Sequence, residues 1–212
     1  MRRLLDVGLE ELTTILFKMG EIAENSIDMS VDGFLEGIDI SDKVHSLSEI
    51  LVTLSVDAED KVFELIAKYQ PVASDLRIIK SYMKIAYDFE RYGRYAWDIS
   101  FTHKKLANAE KGDRSTTLIE EMAEKVVEMV HTSIKALKAH DVELARSLSK
   151  TEEEVDKLYF RYLDEIAKAF PATRCVISDL LVVRYLERIA DHATYVGESV
   201  IYISTGEKVT LR

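Results

Sequence analysis

The sequence predicts an all-α fold made of two tandem three-helix bundles that are related by an internal duplication. Only 8 glycines and 2 prolines occur in 212 residues, so the chain has few of the residues that break helices. Apolar residues recur at alternating spacings of four and three, which is the period of an amphipathic helix. The heptapeptide ERIADHA at 187–193 has an imperfect twin, ERYGRYA, at 90–96. Two copies of one helical unit, each too small to bury its apolar face alone, explain this self-similarity.

The first half contains three apolar stripes. A long first helix is predicted from Leu5 through Ala23 and beyond, ending around Gly33 and Gly37. The second runs from Val44 and closes before Pro71, because the residue that precedes a proline is pushed out of the helical region. A third begins at a cap provided by Ser74 or Asp75. One side of this third helix is expected to carry Leu76, Ile79, Met83, Ala86, Glu90, Gly93 and Trp97.

The second half repeats this plan after a linker at residues 109–115, which contains Gly112-Asp113. The linker separates a first bundle at 1–108 from a second at 116–206. The fourth helix is predicted over 118–137, the fifth from about Val142 to Ala169, and the sixth from Arg174 to about Ser204, where Thr205-Gly206 ends it. No segment has the pattern of a strand. A single long six-helix bundle is the less economical arrangement of the same helices.

The composition narrows the partners and the compartment. A formal charge of −10 and a pI near 5.1 argue against direct binding to nucleic acid or to an anionic membrane, which both reward clustered lysine and arginine. The single cysteine, Cys175, cannot form an internal disulfide and suits a reducing interior. The chain shows neither a signal-peptide run nor an uncharged stretch as long as a membrane span. We therefore expect a cytoplasmic protein that is not inserted in a membrane.

Two acidic pairs at helical spacing are the candidate site. Glu187 and Asp191 lie one turn apart on the sixth helix, and Glu152 and Asp156 repeat this spacing on the fifth. Four carboxylates on two facing helices could supply oxygen ligands to one or more metal ions. His192 could add a nitrogen, although it points about 100° around the helix from Asp191. The plainer alternative is a solvated acidic face, because the chain contains 38 acidic residues.

A rival metal site is suggested by Glu128-x-x-His131, the spacing that di-iron carboxylate bundles use. Asp42 and His45 give a weaker second copy, and the repeat does not relate the two. A di-iron oxidase or a metal-storage bundle is therefore the alternative function. Glycine-rich phosphate loops, nucleophile elbows and a cysteine–histidine pairing near Cys175 are all missing from the sequence, so we do not expect an enzyme.

Four motifs in a fixed order resemble the PhoU family over nearly the full length of the chain. Each motif is short, but their order and approximate spacing make the match specific. They are QPVASDLR at 70–77, FERYG at 89–93, ExxVDKLY at 152–159 and LERIADHA at 186–193. The resemblance implies two three-helix bundles in tandem, in agreement with the periodicity.

The resemblance also implies a metal site in each repeat, built from Glu/Asp-x-x-x-Asp pairs that hold zinc or iron clusters. In this sequence the second repeat keeps the matching residues: Glu152 and Asp156 with Glu187 and Asp191, and His192 adjoining them. The first repeat retains Glu90 as a motif residue but has Arg94 where an acid is expected. Its matching second-helix positions fall on Ser48 and Val52, or on Val52 and Val56. We therefore expect iron or zinc, mononuclear or multinuclear, in the second repeat only.

For function, the resemblance implies a regulator and not a catalyst. Members of the family restrain phosphate import by acting on the ATP-binding subunit of a phosphate ABC transporter, and in many bacteria they relay its state to a membrane sensor kinase. Regulation of another ion or phosphate permease is the alternative within this class. The resemblance and the tyrosine-rich third helix together suggest a homodimer.

Overall fold

The computed structural model describes residues 3–106, 117–168 and 173–212, and within these ranges the chain forms six α-helices and no strand. The predicted all-α fold is confirmed. None of the helices in these ranges combines the length and the apolarity needed to cross a membrane. The helices are α1 (Leu4–Glu36), α2 (Ser41–Tyr69), α3 (Ala73–Leu106), α4 (Thr117–Ala139), α5 (Val142–Ile166) and α6 (Arg174–Thr205).

The six helices pack as two groups of three. Helices α1, α2 and α3 contact one another, as do α4, α5 and α6. The two groups meet mainly where α3 packs along α6, with a smaller contact between α1 and α4. This arrangement agrees with the predicted tandem bundles. The linker expected at 109–115 lies outside the described residues, as does Pro171.

Glycines end two of the long helices. Gly37 follows α1 with φ of 76°, and Gly206 follows α6 with φ of 81°. This left-handed conformation costs glycine little, because glycine has no Cβ to clash with the carbonyl oxygen. Helix α1 therefore continues through Gly33 and stops at Glu36, and α6 ends where the sequence predicts. Helix α5 stops at Ile166, short of the predicted Ala169.

The third helix is buried over a wider surface than its stripe predicts. Of the predicted stripe, Ile79, Ala86 and Gly93 are buried, whereas Leu76 and Met83 are exposed. The additional burial arises because α3 is covered on two sides, by α1 and α2 within its own bundle and by α6 of the other. The large buried side chains of α3 are Ile79, Tyr82, Ile85, Phe89, Tyr92 and Ile99.

Candidate functional site

An acidic groove of about 700 Å³ lies between α5 and α6. The structure brings all four predicted carboxylates to it, since the two acidic pairs lie on the sides of α5 and α6 that border this groove. We call this surface the acidic groove. Its lining residues are Glu152, Glu153, Asp156, Lys157, Phe160, Glu187, Arg188, Asp191 and Arg212.

The two acids from α5 form no direct ion pair among the described residues, although the charge of Arg212 favours the ionised form of both, and that of Arg184 the ionised form of Asp156. Glu152 is only 6% exposed because it lies next to the buried face of α5, which carries Leu148 and Val155. Neither Glu152 nor Asp156 forms an ion pair within the described residues. Burial, followed by the charges of Asp156 and Asp191, raises the pKa of Glu152 to about 7. Burial and the charge of Asp191 also raise the pKa of Asp156. This side of the groove therefore favours a proton or another cation.

The two acids from α6 are held by arginines of the same helix. Arg184 donates from Nη1 to Oε2 of Glu187 at 2.6 Å, and Arg188 donates from Nη1 to Oδ2 of Asp191 at 3.1 Å. Both pairs have i, i+3 spacing, which places the partners on one face of the helix. The pKa of Glu187 is nevertheless raised, first by burial and then by the charge of Asp191. The arginines compensate these two carboxylates only in part.

Arg212, from the segment after α6, also reaches into the acidic groove. Its Nη1 donates to Oδ1 of Asp191 at 3.2 Å, and its guanidinium lies 4.7 Å from the centre of the Tyr195 ring. The preceding residue, Leu211, is buried, and its amide donates to the Glu198 carboxylate at 3.2 Å. These contacts fix the end of the segment on α6. The spacing of the sequence motifs gave no indication of this third arginine.

The donor chemistry of the groove suits a metal ion, but the donors are not assembled around one point. No three His, Cys, Asp or Glu side chains among residues 3–106, 117–168 and 173–212 are placed to hold one ion. Glu152 and Asp156 offer unpaired, partly buried oxygens, which is the environment that a hard or borderline cation stabilises. Asp191 and Glu187 could join them only after their arginines move. The residues fit a metal site if Glu187 and Asp191 first separate from the arginines that hold them.

His192 lies away from the acidic groove, in the contact between the two bundles. Its Nδ1 is 2.8 Å from Oδ1 of Asp88 on α3, and both side chains are buried. The rings of Tyr87, Tyr95 and Tyr195 surround it. Burial raises the pKa of Asp88, while the hydrogen bond with His192 opposes the rise. His192, which the sequence suggests as an additional ligand, is thus part of the link between α3 and α6.

The corresponding surface of the first repeat has no acidic pair. Val52 and Val56 are exposed and Ser48 is buried, so α2 presents no carboxylate at these positions. The Arg94 guanidinium lies 4.9 Å from the Trp97 ring. Among the described residues, Arg94 and Glu90 do not form an ion pair. Glu90 has no acidic partner one turn away.

The residues of the rival di-iron motif make other contacts. His131 on α4 is partly exposed and its Nε2 lies 3.2 Å from Asp28 and 3.5 Å from Glu24, both on α1. His45 packs on Trp97 with ring centres 4.7 Å apart. His131 and His45 therefore have different neighbours, and the structure does not assemble the two motifs into one site.

Both halves of the chain match one family model, described as the PhoU domain, over residues 16–101 and 119–200. A protein of Clostridium acetobutylicum, described as "Phosphate-specific transport system accessory protein PhoU homolog", is 35% identical over 99% of this chain and 98% of its own length. A protein of Caulobacter vibrioides with the same description is 33% identical over 95% of this chain and 90% of its own.

Solved structures agree with these sequence matches. The crystal structure of PhoU from Pseudomonas aeruginosa superposes with a TM-score of 0.89 at 26% identity, covering 95% of this chain and 99% of that one. The phosphate transport system regulatory protein PhoU from Streptococcus pneumoniae gives a TM-score of 0.86 at 20% identity, covering 97% of this chain and 99% of that one. At that lower identity the second comparison supports the fold alone.

Proposed function

The chain belongs to the PhoU family, and from this premise we propose that it is a non-catalytic accessory protein of a phosphate transport system. The observation that carries the proposal is the match of both halves to the PhoU domain, together with a relative of that description at 35% identity along the whole chain. The acidic groove is the constellation from the sequence whose residues the structure brings together, and no nucleophile beside a base lies among its lining residues. This supports a regulatory role over a catalytic one.

We further propose that the protein acts in the cytoplasm, as a homodimer, on the ATP-binding subunit of a phosphate ABC transporter, and that it lowers phosphate uptake. A membrane sensor kinase is the second partner under this proposal. The family membership and the match along the whole chain support these finer statements. Of the four tyrosines of α3 that suggest self-association, Tyr82 and Tyr92 are buried within the chain, Tyr95 is partly buried and Tyr87 is exposed.

Phosphate uptake by a reconstituted transporter tests the role in transport. The phosphate transporter of the source organism is placed in vesicles, and the full-length protein is added on the side of the ATP-binding subunits. We expect the protein to co-sediment with the vesicles and to slow ATP-dependent phosphate uptake. Vesicles that carry another permease of the same organism are the control. A protein that binds and slows only the control permease, or neither, contradicts the proposal.

We propose that the acidic groove holds iron or zinc through Glu152, Asp156, Glu187 and Asp191. When bound, the ion would offset the repulsion among these carboxylates and tie α5 to α6, so that the binding free energy adds to the folding stability. The unpaired Glu152 and Asp156 would bind the ion first. Arg188 and Arg212 would then have to leave Asp191 for that carboxylate to join.

Metal content and thermal stability test this site. The double variant Glu187→Gln plus Asp191→Asn should lose bound metal and the chelator-sensitive part of its Tm. The matched control is Glu124→Gln plus Glu128→Gln, which removes an exposed acidic pair at the same spacing on α4. Loss of metal in the control would favour the rival Glu128-x-x-His131 site. Unchanged metal content in the groove variant would show that the groove is a solvated acidic face.

A further inference from the structure

A second groove, of about 230 Å³, lies where α3, α6 and the segment after α6 meet. Its volume equals that of roughly seven or eight molecules of liquid water, which leaves room for a small ligand and a few waters. We call it the basic groove. It is lined by Lys80, Ser81, Lys84, Glu198, Ser199, Tyr202, Lys208 and Val209.

The basic groove has the opposite charge to the molecule as a whole. Lys80, Lys84 and Lys208 line it, against one carboxylate, in a chain whose formal charge is −10. That carboxylate, Glu198, is already engaged by the Lys84 ammonium at 3.6 Å and by the Leu211 amide at 3.2 Å. Lysines from two separate parts of the chain thus converge on one small concavity and leave an excess of positive charge there.

Two polar groups near this groove have no hydrogen-bond partner among the described residues. The Ser81 side chain lines the groove and its hydroxyl forms no hydrogen bond there, so it can donate to a ligand. The Arg77 guanidinium lies 6.0 Å from the ring of Tyr202, which lines the groove, and its Nε is buried without a partner.

From these observations we propose that the basic groove binds a small oxyanion of the phosphate class, either inorganic phosphate or a phosphate monoester. Three ammonium groups and the Ser81 hydroxyl supply donors only to a ligand that is rich in acceptor oxygens, and a phosphate group is such a ligand. The size of the groove suits a single phosphate group. Because the lining comes from both bundles and from Lys208, the bound anion holds α3, α6 and the last segment together. The proposal uses neither the acidic groove nor the transporter, so it stands or fails separately from the proposed function.

Calorimetric titration of the full-length protein with sodium phosphate tests the site, with chelator present so that no metal in the acidic groove can bind the anion. We expect saturable one-site binding. The variant Lys84→Gln plus Lys208→Gln should weaken it by about a hundredfold or more, because it removes two charge-assisted hydrogen-bond donors. Lys18→Gln plus Lys43→Gln, which removes two exposed lysines outside the groove, is the charge-matched control and should bind normally. Titration with glycerol 3-phosphate separates a monoester site from a site for the free ion.

Ser81→Ala separates ligand binding from a purely structural role. Removing the Ser81 hydroxyl, which has no hydrogen-bond partner among the described residues, should leave the Tm of the ligand-free protein unchanged or slightly higher. The same substitution should reduce the Tm increase that phosphate produces. No heat of binding with either ligand up to millimolar concentration would overturn the proposal. Equal weakening in the groove variant and the control would do so as well, because it would indicate a nonspecific charge effect.

Discussion

Glu152 lies with its carboxyl group in the acidic groove, where its pKa is raised to about 7 from an ordinary value of 4.5. A carboxyl group whose pKa is higher in the folded state binds its proton more tightly there than in the unfolded chain. The metal-free protein therefore loses stability as the pH rises from about 4.5 to about 7. Glu152→Gln should remove this loss and stabilise the metal-free protein at pH 8 by about 1 kcal/mol, a value that allows for solvent in the groove. Urea unfolding at pH 5 and pH 8, with chelator, measures both effects.

The neighbouring Glu153→Gln is the control for this prediction. Glu153 is exposed and lies 3.8 Å from Lys157, and its charge contributes least to the raised pKa of Glu152, so its removal should change the pH dependence only slightly. Bound metal should reverse the direction in which stability changes with pH. A carboxylate that binds metal must be ionised, so acidification then lowers the stability. A Glu152→Gln protein with the same pH dependence as the parent contradicts the assignment.

Arg212 and a metal ion compete for Asp191, since the guanidinium donates to that carboxylate. Arg212→Gln should therefore raise the affinity for zinc by a few-fold to about tenfold, which is the range of a partly exposed ion pair of about 1 kcal/mol. A competition assay with a zinc-binding dye measures the change. Arg146→Gln, which removes an exposed arginine 3.8 Å from Glu207, should leave the affinity unchanged. A lower affinity in Arg212→Gln would show that the arginine helps to shape the site.

Four of the five acids that line the acidic groove could be predicted from the sequence, which also contained the spacing that pairs Arg184 and Arg188 with two of them. That i, i+3 pattern is visible once the helix is assumed. Arg212 and Asp88 could not be predicted in the same way. Arg212 reaches the groove through a non-helical segment, and the partner of Asp88 lies on a different bundle, so no local periodicity relates these residues to their contacts.

Within the second bundle, α5 and α6 approach closely at Gly197. A Cβ built on this glycine would lie 2.8 Å from Leu148, 3.1 Å from Leu211 and 3.2 Å from the backbone oxygen of Ala145. The backbone of α5 cannot turn aside as a side chain can. Gly197→Ala should therefore destabilise the protein by about 1–2 kcal/mol, because overpacking outweighs the gain in helix propensity.

Gly20 provides the matched control on α1. A Cβ there would meet Ile134 and Phe89 at 3.5 Å, which is ordinary van der Waals contact. Gly20→Ala should stabilise the protein by about 0.5–1 kcal/mol, since alanine loses less conformational entropy in a helix. Urea unfolding of both variants makes the comparison. A stable Gly197→Ala protein would mean that α5 and α6 can separate there without cost.

The ends of α1 and α6 could be predicted from turn residues, whereas the full buried surface of α3 could not be predicted from its stripe. Gly206 marks the end of α6 because the left-handed conformation is a local requirement. The burial of Asp88, outside the stripe, depends on α6, which contributes a second covering surface from far along the chain. A single amphipathic period describes a helix with one covered side, and α3 has two.

For the molecule as a whole, the segment after α6 connects the two grooves. Lys208 and Val209 line the basic groove, and Arg212 reaches the acidic groove four residues later. Leu211 anchors the segment between them by packing against Gly197. An anion held by Lys208 and a metal that displaces Arg212 would therefore act on the same short stretch of chain. The duplication predicted two bundles, but it gave no indication of this connection.

The two bundles should unfold together. The contact between them contains the buried Asp88–His192 pair, and the Tyr92 hydroxyl lies 3.1 Å from the Ser133 hydroxyl in a second buried polar contact. Separating the bundles would expose these groups and the apolar surface of α3 and α6 at once, so we expect a single cooperative transition. Trp97, the only tryptophan, reports on the first bundle, and a dye on Cys175, the only cysteine, reports on the second.

The midpoints of the two probes should coincide in urea, and His192→Ala should lower both by the same amount. The expected loss is about 2–4 kcal/mol, because Asp88 would remain buried without its partner. His45→Ala is the control: His45 is exposed and packs on Trp97 within the first bundle, so its loss should cost well under 1 kcal/mol. Two separate midpoints in the parent protein, or a His192→Ala effect confined to one probe, would show that the bundles fold independently and that the contact between α3 and α6 only docks them.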